Sequence, residues 1–171
     1  IMWEPSGDAS ESAMIKFSQE QPLFEDECYK IAGVDKESEP CPGINKARLS
    51  YPAISCEVEG TKKTWEIQFN SKNKYQVSVH KQPGSDAALL LMKGAPERIL
   101  NRCDFAWEKG ERVPMTPELR QSYEELNLEL AAMGRRCLAF AEHDLDPEKY
   151  PASWDGFELS PVNYPIGDDE D

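Results

Sequence analysis

LLLMKGAPERIL, residues 89–100, changes its local character within twelve residues. The apolar run that feeds it, 87–92, reads as a strand buried on both faces. Lys93 ends the run. Gly94 permits a tight bend and lets another group approach the backbone. Pro96 suits the first position of a helix, where its missing N–H is no loss, so residues 96–102 are expected to form a short helix. A strand that passes into a helix through a lysine, a glycine and a small residue can offer its main chain to a flat or anionic ligand. The same residues are also what the plain end of a strand needs: a solvated lysine and a glycine demanded by the turn.

The segments on either side supply the rest of a sheet. TWEIQF, residues 64–69, alternates with Trp65, Ile67 and Phe69 on one face, and KYQVSVHK, 74–81, alternates with Tyr75, Val77 and Val79 on one face. The intervening NSKN makes a turn, so the two segments are expected to form an antiparallel hairpin with one buried face. Downstream, TPELRQSYEELNLELAAMG carries the strongest helix pattern in the chain. Thr116 is the cap, Pro117 takes the first position, and Leu119, Tyr123, Leu126, Leu130 and Met133 line one side up to the stop at Gly134. RRCLAFAEH, 135–143, reads as a further strand, opened by Arg136. Near the start, GDASESAMIKF, 7–17, reads as a helix with Asp8 and Glu11 spaced as a capping box and Ala13, Met14 and Phe17 sharing a face.

Between these segments the patterns dissolve. Residues 21–63 contain Pro22, Pro40, Pro42 and Pro52 and read as a loop-rich insertion with one short helix near 25–32. Residues 145–171 read as an irregular tail. No regular alternation of strand and helix is visible. The expected fold is therefore α+β (mixed α/β), one domain over residues 1–171, with a largely antiparallel sheet flanked by helices.

Composition narrows the function. The 171 residues carry a formal charge of −13, with 39% hydrophobic and 30% charged residues. Mean hydropathy is −0.66. An acidic chain repels nucleic-acid phosphates and anionic membrane surfaces. The longest apolar run, 87–92, falls far short of the ~20 residues that span a bilayer. Yet residues 69–98 hold Lys72, Lys74, Lys81, Lys93 and Arg98 against only Asp86 and Glu97, a cationic island that could attract a small polyanion. Five cysteines with no C-x-x-C pair and only two histidines indicate neither a zinc site nor a disulfide framework, and free thiols in a reducing compartment are expected. The chain starts with Ile1 rather than methionine and reads as a piece of a longer one.

No phosphate loop, dinucleotide fingerprint or nucleophile elbow occurs, and two histidines leave little room for a histidine-based triad. What remains is a set of residues suited to binding. Phe69 sits at a strand end where a ring could stack, Lys74 and Gln76 are on the polar side of the next strand, Lys93 and Gly94 form the junction, and Arg136 lies beyond the long helix. An aromatic, two lysines, an arginine and a glycine suit a base with a phosphate chain. Taken singly, such residues more often have a plain role: Phe69 as core, Lys74 and Lys93 as solvated strand ends, and Arg136 as the partner of a surface acid.

Together, GDASESA (7–13), FNSKNKYQVSVHK (69–81), LMKGAPERIL (91–100) and VNYPI (162–166) resemble the nucleotide-binding (N) domain of P-type cation-transporting ATPases. Within that family they are most similar to sodium/potassium and proton/potassium pump alpha subunits. The resemblance implies that ATP, as Mg-ATP in the parent pump, binds on the sheet. Phe69 would stack on the adenine and Glu11 would meet its amino edge. Lys74 and Gln76 would line the pocket, and Lys93 would lie deep in it. Gly94 and Ala95 would give the nucleotide room, Arg136 would reach the phosphates, and Leu138 would pack near the base. In GRRCLAF this chain has Arg135 where the family usually has an acid.

The family's DKTGT aspartate, the actuator TGE motif, the membrane helices and the first strands of the usual N domain are not in this sequence. The expected partners are therefore ATP and the phosphorylation and actuator domains of a parent pump, not nucleic acid. The chain is expected to be a cytoplasmic domain of an integral membrane protein of the plasma membrane, not itself membrane-embedded. Two alternatives stay open: a degenerate module of the same fold that binds proteins rather than nucleotide, and a free-standing nucleotide-utilising enzyme.

Overall fold

The structure, a computed structural model, describes residues 9–19, 26, 29, 30, 51–58, 61–64 and 66–150. These residues fall into two compact units, one with the described residues up to 52 together with 82–84, the other with those of 53–81 and 85–150. In the first unit, α1 (Ala9–Gln19) is the helix expected near the start, with Glu11 in its first turn. Asp8, the other half of the expected capping box, lies outside the described residues. Ala13 and Phe17 are exposed while Met14 and Ile15 are half-buried, so the expected stripe is not the packed one.

The second unit is built on a sheet. Its chain order is β1 (Ser55–Val58), β2 (Thr61–Thr64), β3 (Glu66–Ile67), β4 (Tyr75–Lys81), β5 (Ala88–Gly94), α2 (Pro96–Ile99), a 3-10 turn (Leu100–Arg102), β6 (Phe105–Glu108), β7 (Glu111–Pro114), α3 (Pro117–Ala132) and β8 (Ala139–Asp144). Four strands form a sheet in the order β3-β4-β5-β8, and every pair in it is antiparallel. The α+β class with a largely antiparallel sheet is as expected.

Period-two alternation places Val77 and Val79 of β4 and Ala88 and Met92 of β5 on one face, where Ile54 and Ile99 complete a buried cluster. Each large aliphatic side chain withdrawn there contributes about 1.5–3 kcal/mol. Ile54 is tied in by its N–H, which donates to the Val79 carbonyl at 2.9 Å. Ile99 is delivered by α2, so the short helix after the KGAP junction is a piece of the core and not an appendage.

Several elements differ from the sequence reading. The first strand of the expected hairpin shrinks to Glu66–Ile67, because β2 ends at Thr64 in a separate two-stranded ribbon with β1. That ribbon lies largely within the stretch read as loop-rich insertion. Beyond Ile67 the ladder stops: Asn70 folds its side chain back, its Oδ1 accepting from the N–H groups of Lys72 (3.1 Å) and Asn73 (2.8 Å). A β6–β7 hairpin, not anticipated, precedes α3. The half-buried side of α3 is Leu119, Arg120, Tyr123, Asn127 and Leu130, whereas Leu126 and Met133 are exposed. The helix packs across a narrower contact than its leucines suggested.

The ends of α3 form as its sequence requires. Thr116 Oγ1 accepts from the Leu119 N–H at 3.2 Å with Pro117 at the first position. The Glu118 carboxyl is held below its usual range by its own backbone N–H and the Thr116 hydroxyl. At the other end Gly134 takes φ 74, and the Arg135 N–H returns to the Leu130 carbonyl at 2.9 Å. Arg120 fastens the helix to the junction segment: its guanidinium donates to the carbonyls of Leu100 and, at 3.1 Å, Cys103. Burial pushes the Cys103 thiol above its ordinary pKa, against the opposing pull of Arg120.

At Gly94 the neighbouring backbone leaves no room for a side chain. A Cβ there would stand 2.5 Å from the Lys74 carbonyl oxygen and 2.7 Å from both Cα and Cβ of Tyr75. A side chain at this position would meet the chain's own backbone. Gly94→Ala is therefore expected to lower folding stability by roughly 1–3 kcal/mol, since two main chains must separate. Urea denaturation of the two proteins measures the difference.

Candidate functional site

The face of the sheet opposite the buried cluster carries the residues of interest. In the register of the sheet Gln76 of β4 lies opposite Lys93 of β5, and Lys93 in turn lies opposite Phe140 of β8. Residues opposite each other on antiparallel strands share a face with Cβ atoms about 4.5–5.5 Å apart. An amide, an ammonium and a ring thus stand in one row. Gln76 and Lys93 are half-buried, while Phe140 is 63% exposed. The next row is Ser78, Leu91 and Glu142, with Ser78 Oγ 2.9 Å from His80 Nε2.

The row ends at the KGAP junction. The Ala95 N–H donates to the Lys74 carbonyl at 3.0 Å, which extends the β4–β5 ladder one step past Gly94. Lys74 adopts φ 58, a left-handed conformation that costs a non-glycine residue roughly 1–2 kcal/mol. Its Nζ stands 3.5 Å from Glu97 Oε1. Beside it the Arg102 guanidinium lies 5.1 Å from the centroid of the Tyr75 ring, a cation–π contact that joins the start of β4 to the end of the 3-10 turn.

Phe69 is not on a strand and not in the core. It lies between β3 and the Asn70 turn and is 61% exposed, so it does not continue the expected face of Ile67; Trp65 lies outside the described residues. Arg136 does not open β8, which begins at Ala139. Arg135 and Arg136 are both exposed in the connection from α3. Leu138, 37% exposed, precedes β8 at alternating spacing from Phe140. The fold brings Gln76 and Lys93 into register and sets Lys74, Gly94 and Ala95 against one another. Glu11 belongs to the other unit.

Phe140 is the residue that sequence reasoning passed over. The alternation in CLAFAEH was a signal, because it pairs Phe140 with Leu138. The register that sets Phe140 beside Lys93 joins segments about fifty residues apart, and no local pattern specifies it.

Residues 2–165 match the family described as P-type ATPase, cytoplasmic domain N. The chain belongs to this N-domain family. It is 34% identical over 166 residues to the sodium/potassium-transporting ATPase subunit alpha-2 of Gallus gallus, 96% of this chain and 13% of that protein. It is 34% identical over 162 residues to the alpha-1 subunit of Oreochromis mossambicus, 94% of this chain and again 13% of that protein. The alpha subunit of Tetronarce californica is 35% identical over 164 residues, 95% of this chain and 13% of its own length. The N domain thus spans a small part of the curated relatives it matches. Among the described residues no helix is long and apolar enough to cross a membrane.

Two rings on an N domain that face solvent rather than the core contribute little to folding. Phe69→Ala and Phe140→Ala are each expected to change stability by no more than about 0.5–1 kcal/mol, against roughly 3–5 kcal/mol for a buried phenylalanine. Thermal and urea unfolding check this, and a loss in the larger range would place the ring in the core.

Proposed function

We propose that this N domain binds ATP on the Gln76, Lys93 and Phe140 face and presents it to the phosphorylatable aspartate of a separate domain of a cation-transporting pump. The observation that carries the proposal is the row itself: a half-buried ammonium flanked by a hydrogen-bonding amide and an exposed ring, on a sheet whose other face is the core. A ring stacks on a purine whatever its orientation, an amide reads its edge, and a cation favours the nucleotide's charge.

Phe69 is the second ring, stacking on the adenine. Lys74 and Gln76 line the site beside the base, Lys93 lies deepest, and Gly94 and Ala95 form its floor. Leu138 packs near the base, and Arg136 meets the phosphates. The magnesium that accompanies ATP would arrive on the phosphates. Among the described residues no group of three or more His, Cys, Asp or Glu side chains is placed to hold a metal. The residues assigned to the face suit holding and orienting a nucleotide, so the domain's part in phosphoryl transfer is to position it. The whole sequence, 1–171, is read as one N domain with 21–63 as an insertion and 145–171 returning towards the phosphorylation domain. The parent is a pump of the plasma membrane whose N domain faces the cytoplasm.

ATP titrated into the isotope-labelled domain at low salt is expected to shift the amide resonances of Phe69, Lys74, Gln76, Lys93 and Phe140. Phe69→Ala is expected to weaken binding at least about fivefold, the loss of one ring–base stack. If the folded domain shows no shifts at millimolar ATP, the nucleotide reading is wrong and a protein-interaction module of the same fold takes its place.

A further inference from the structure

The Lys74 ammonium already has an anionic partner in Glu97, at 3.5 Å. Two half-exposed side chains seldom hold such a contact strongly, because both lose rotamer freedom in making it. Here the backbones that carry them are fixed relative to each other. The Ala95 N–H is bonded to the Lys74 carbonyl at 3.0 Å. The Gly94 position leaves no room for a Cβ beside Lys74 and Tyr75, and Pro96, with its locked φ, stands directly before Glu97. Glu97 therefore starts from a set position two residues beyond the clasp. The main chain brings carboxylate and ammonium together, so little of the pairing depends on a chance meeting of long side chains.

Resting on the nucleotide-binding reading of this face, we infer that Glu97 is a specificity-determining residue: an internal anion that neutralises Lys74 and so lowers the domain's affinity for the nucleotide anion. The carboxylate cancels much of the field that the ammonium beside the base would offer to the nucleotide's phosphates. A ligand with phosphates therefore meets a cation whose charge is already offset. An uncharged nucleoside is indifferent to the pair. The effect is one of charge over distances within about a Debye length, 10 Å at 0.1 M salt, and fades as salt rises.

Glu97→Gln keeps the shape of the side chain and removes its charge. ATP is expected to bind this variant about threefold more tightly than wild type at low salt, the scale of one exposed ion pair. Adenosine affinity should be unchanged, and the ATP gain should shrink at 0.5 M salt. In a Lys74→Ala background the same substitution should give no gain. Glu111→Gln, which removes an exposed acid from β7, should leave ATP affinity unaltered. Calorimetric or NMR titrations with ATP and adenosine read all of these.

An unchanged or weaker ATP affinity in Glu97→Gln overturns the inference. So does an equal gain for adenosine, or a gain that survives Lys74→Ala. A second measurement needs no substitution: the Glu97 side-chain carboxyl carbon of the wild-type domain should shift on adding ATP but not on adding adenosine, and its failure to move is equally fatal. Wild type that binds no ATP removes the nucleotide reading itself, whereas wild type that binds ATP while Glu97→Gln gains nothing removes this inference alone.

Discussion

At Gly94 the main chain of β5 comes so close to Lys74 and Tyr75 that a methyl group has no place. Much of the second unit depends on that approach. It lets the β4–β5 ladder run to its end, so that the Ala95 N–H finds the Lys74 carbonyl before the chain turns into α2. That helix places Ile99, 1% exposed, into the core cluster. The 3-10 turn that follows is where the Arg120 fork fastens α3. Sheet, short helix and long helix thus share one constraint, a glycine between a lysine and an alanine.

The same constraint organises charge. A domain with a formal charge of −13 has to concentrate its cations locally if it is to attract an anion. Lys93 is carried by the sheet in register with Gln76 and Phe140, and Lys74 is carried by the turn that clasps Gly94. Their settings differ. Lys93 is half-buried within a strand, whereas Lys74 stands at a strand end, 3.5 Å from a carboxylate. Two cations of one island can therefore make unequal contributions to binding, set by the surroundings of each rather than by the net charge of the domain.

How much was legible in the sequence follows the range of the interactions involved. The caps of α3, the Asn70 turn and the proline that opens α2 are set by neighbours three or four residues apart, and they formed as read. The strand of KYQVSVHK was legible because one face is buried and alternation reports burial, and the run into KGAP because it is a short continuous apolar segment closed by a glycine. The edge elements were not. Ser55–Val58 and Thr61–Thr64 pair as a separate ribbon, in a stretch where prolines and acids mask any alternation. The exposed leucines of α3 were misread because helical periodicity shows that a helix has an apolar side without showing how much of it a small neighbour can cover. For the candidate site, Gln76 and Lys93 could be named from their places on strands. Phe140 could not, since its position beside Lys93 comes from a register between distant segments.

The face as assembled also limits what the domain can do alone. Its row of Gln76, Lys93 and Phe140, with Lys74 at its end, is suited to holding a flat anionic molecule in one orientation. Orientation is a large catalytic resource when the reacting group is already activated elsewhere, because it replaces a bimolecular search with a fixed approach. It is worth nothing to a domain acting by itself. If the N domain binds ATP as proposed, it can stay acidic while another domain supplies the bond-making groups. A very tight site would retain the nucleotide, whereas a positioning domain must release it in each cycle. An acid such as Glu97 beside Lys74 fits the proposed role, in which turnover matters more than retention.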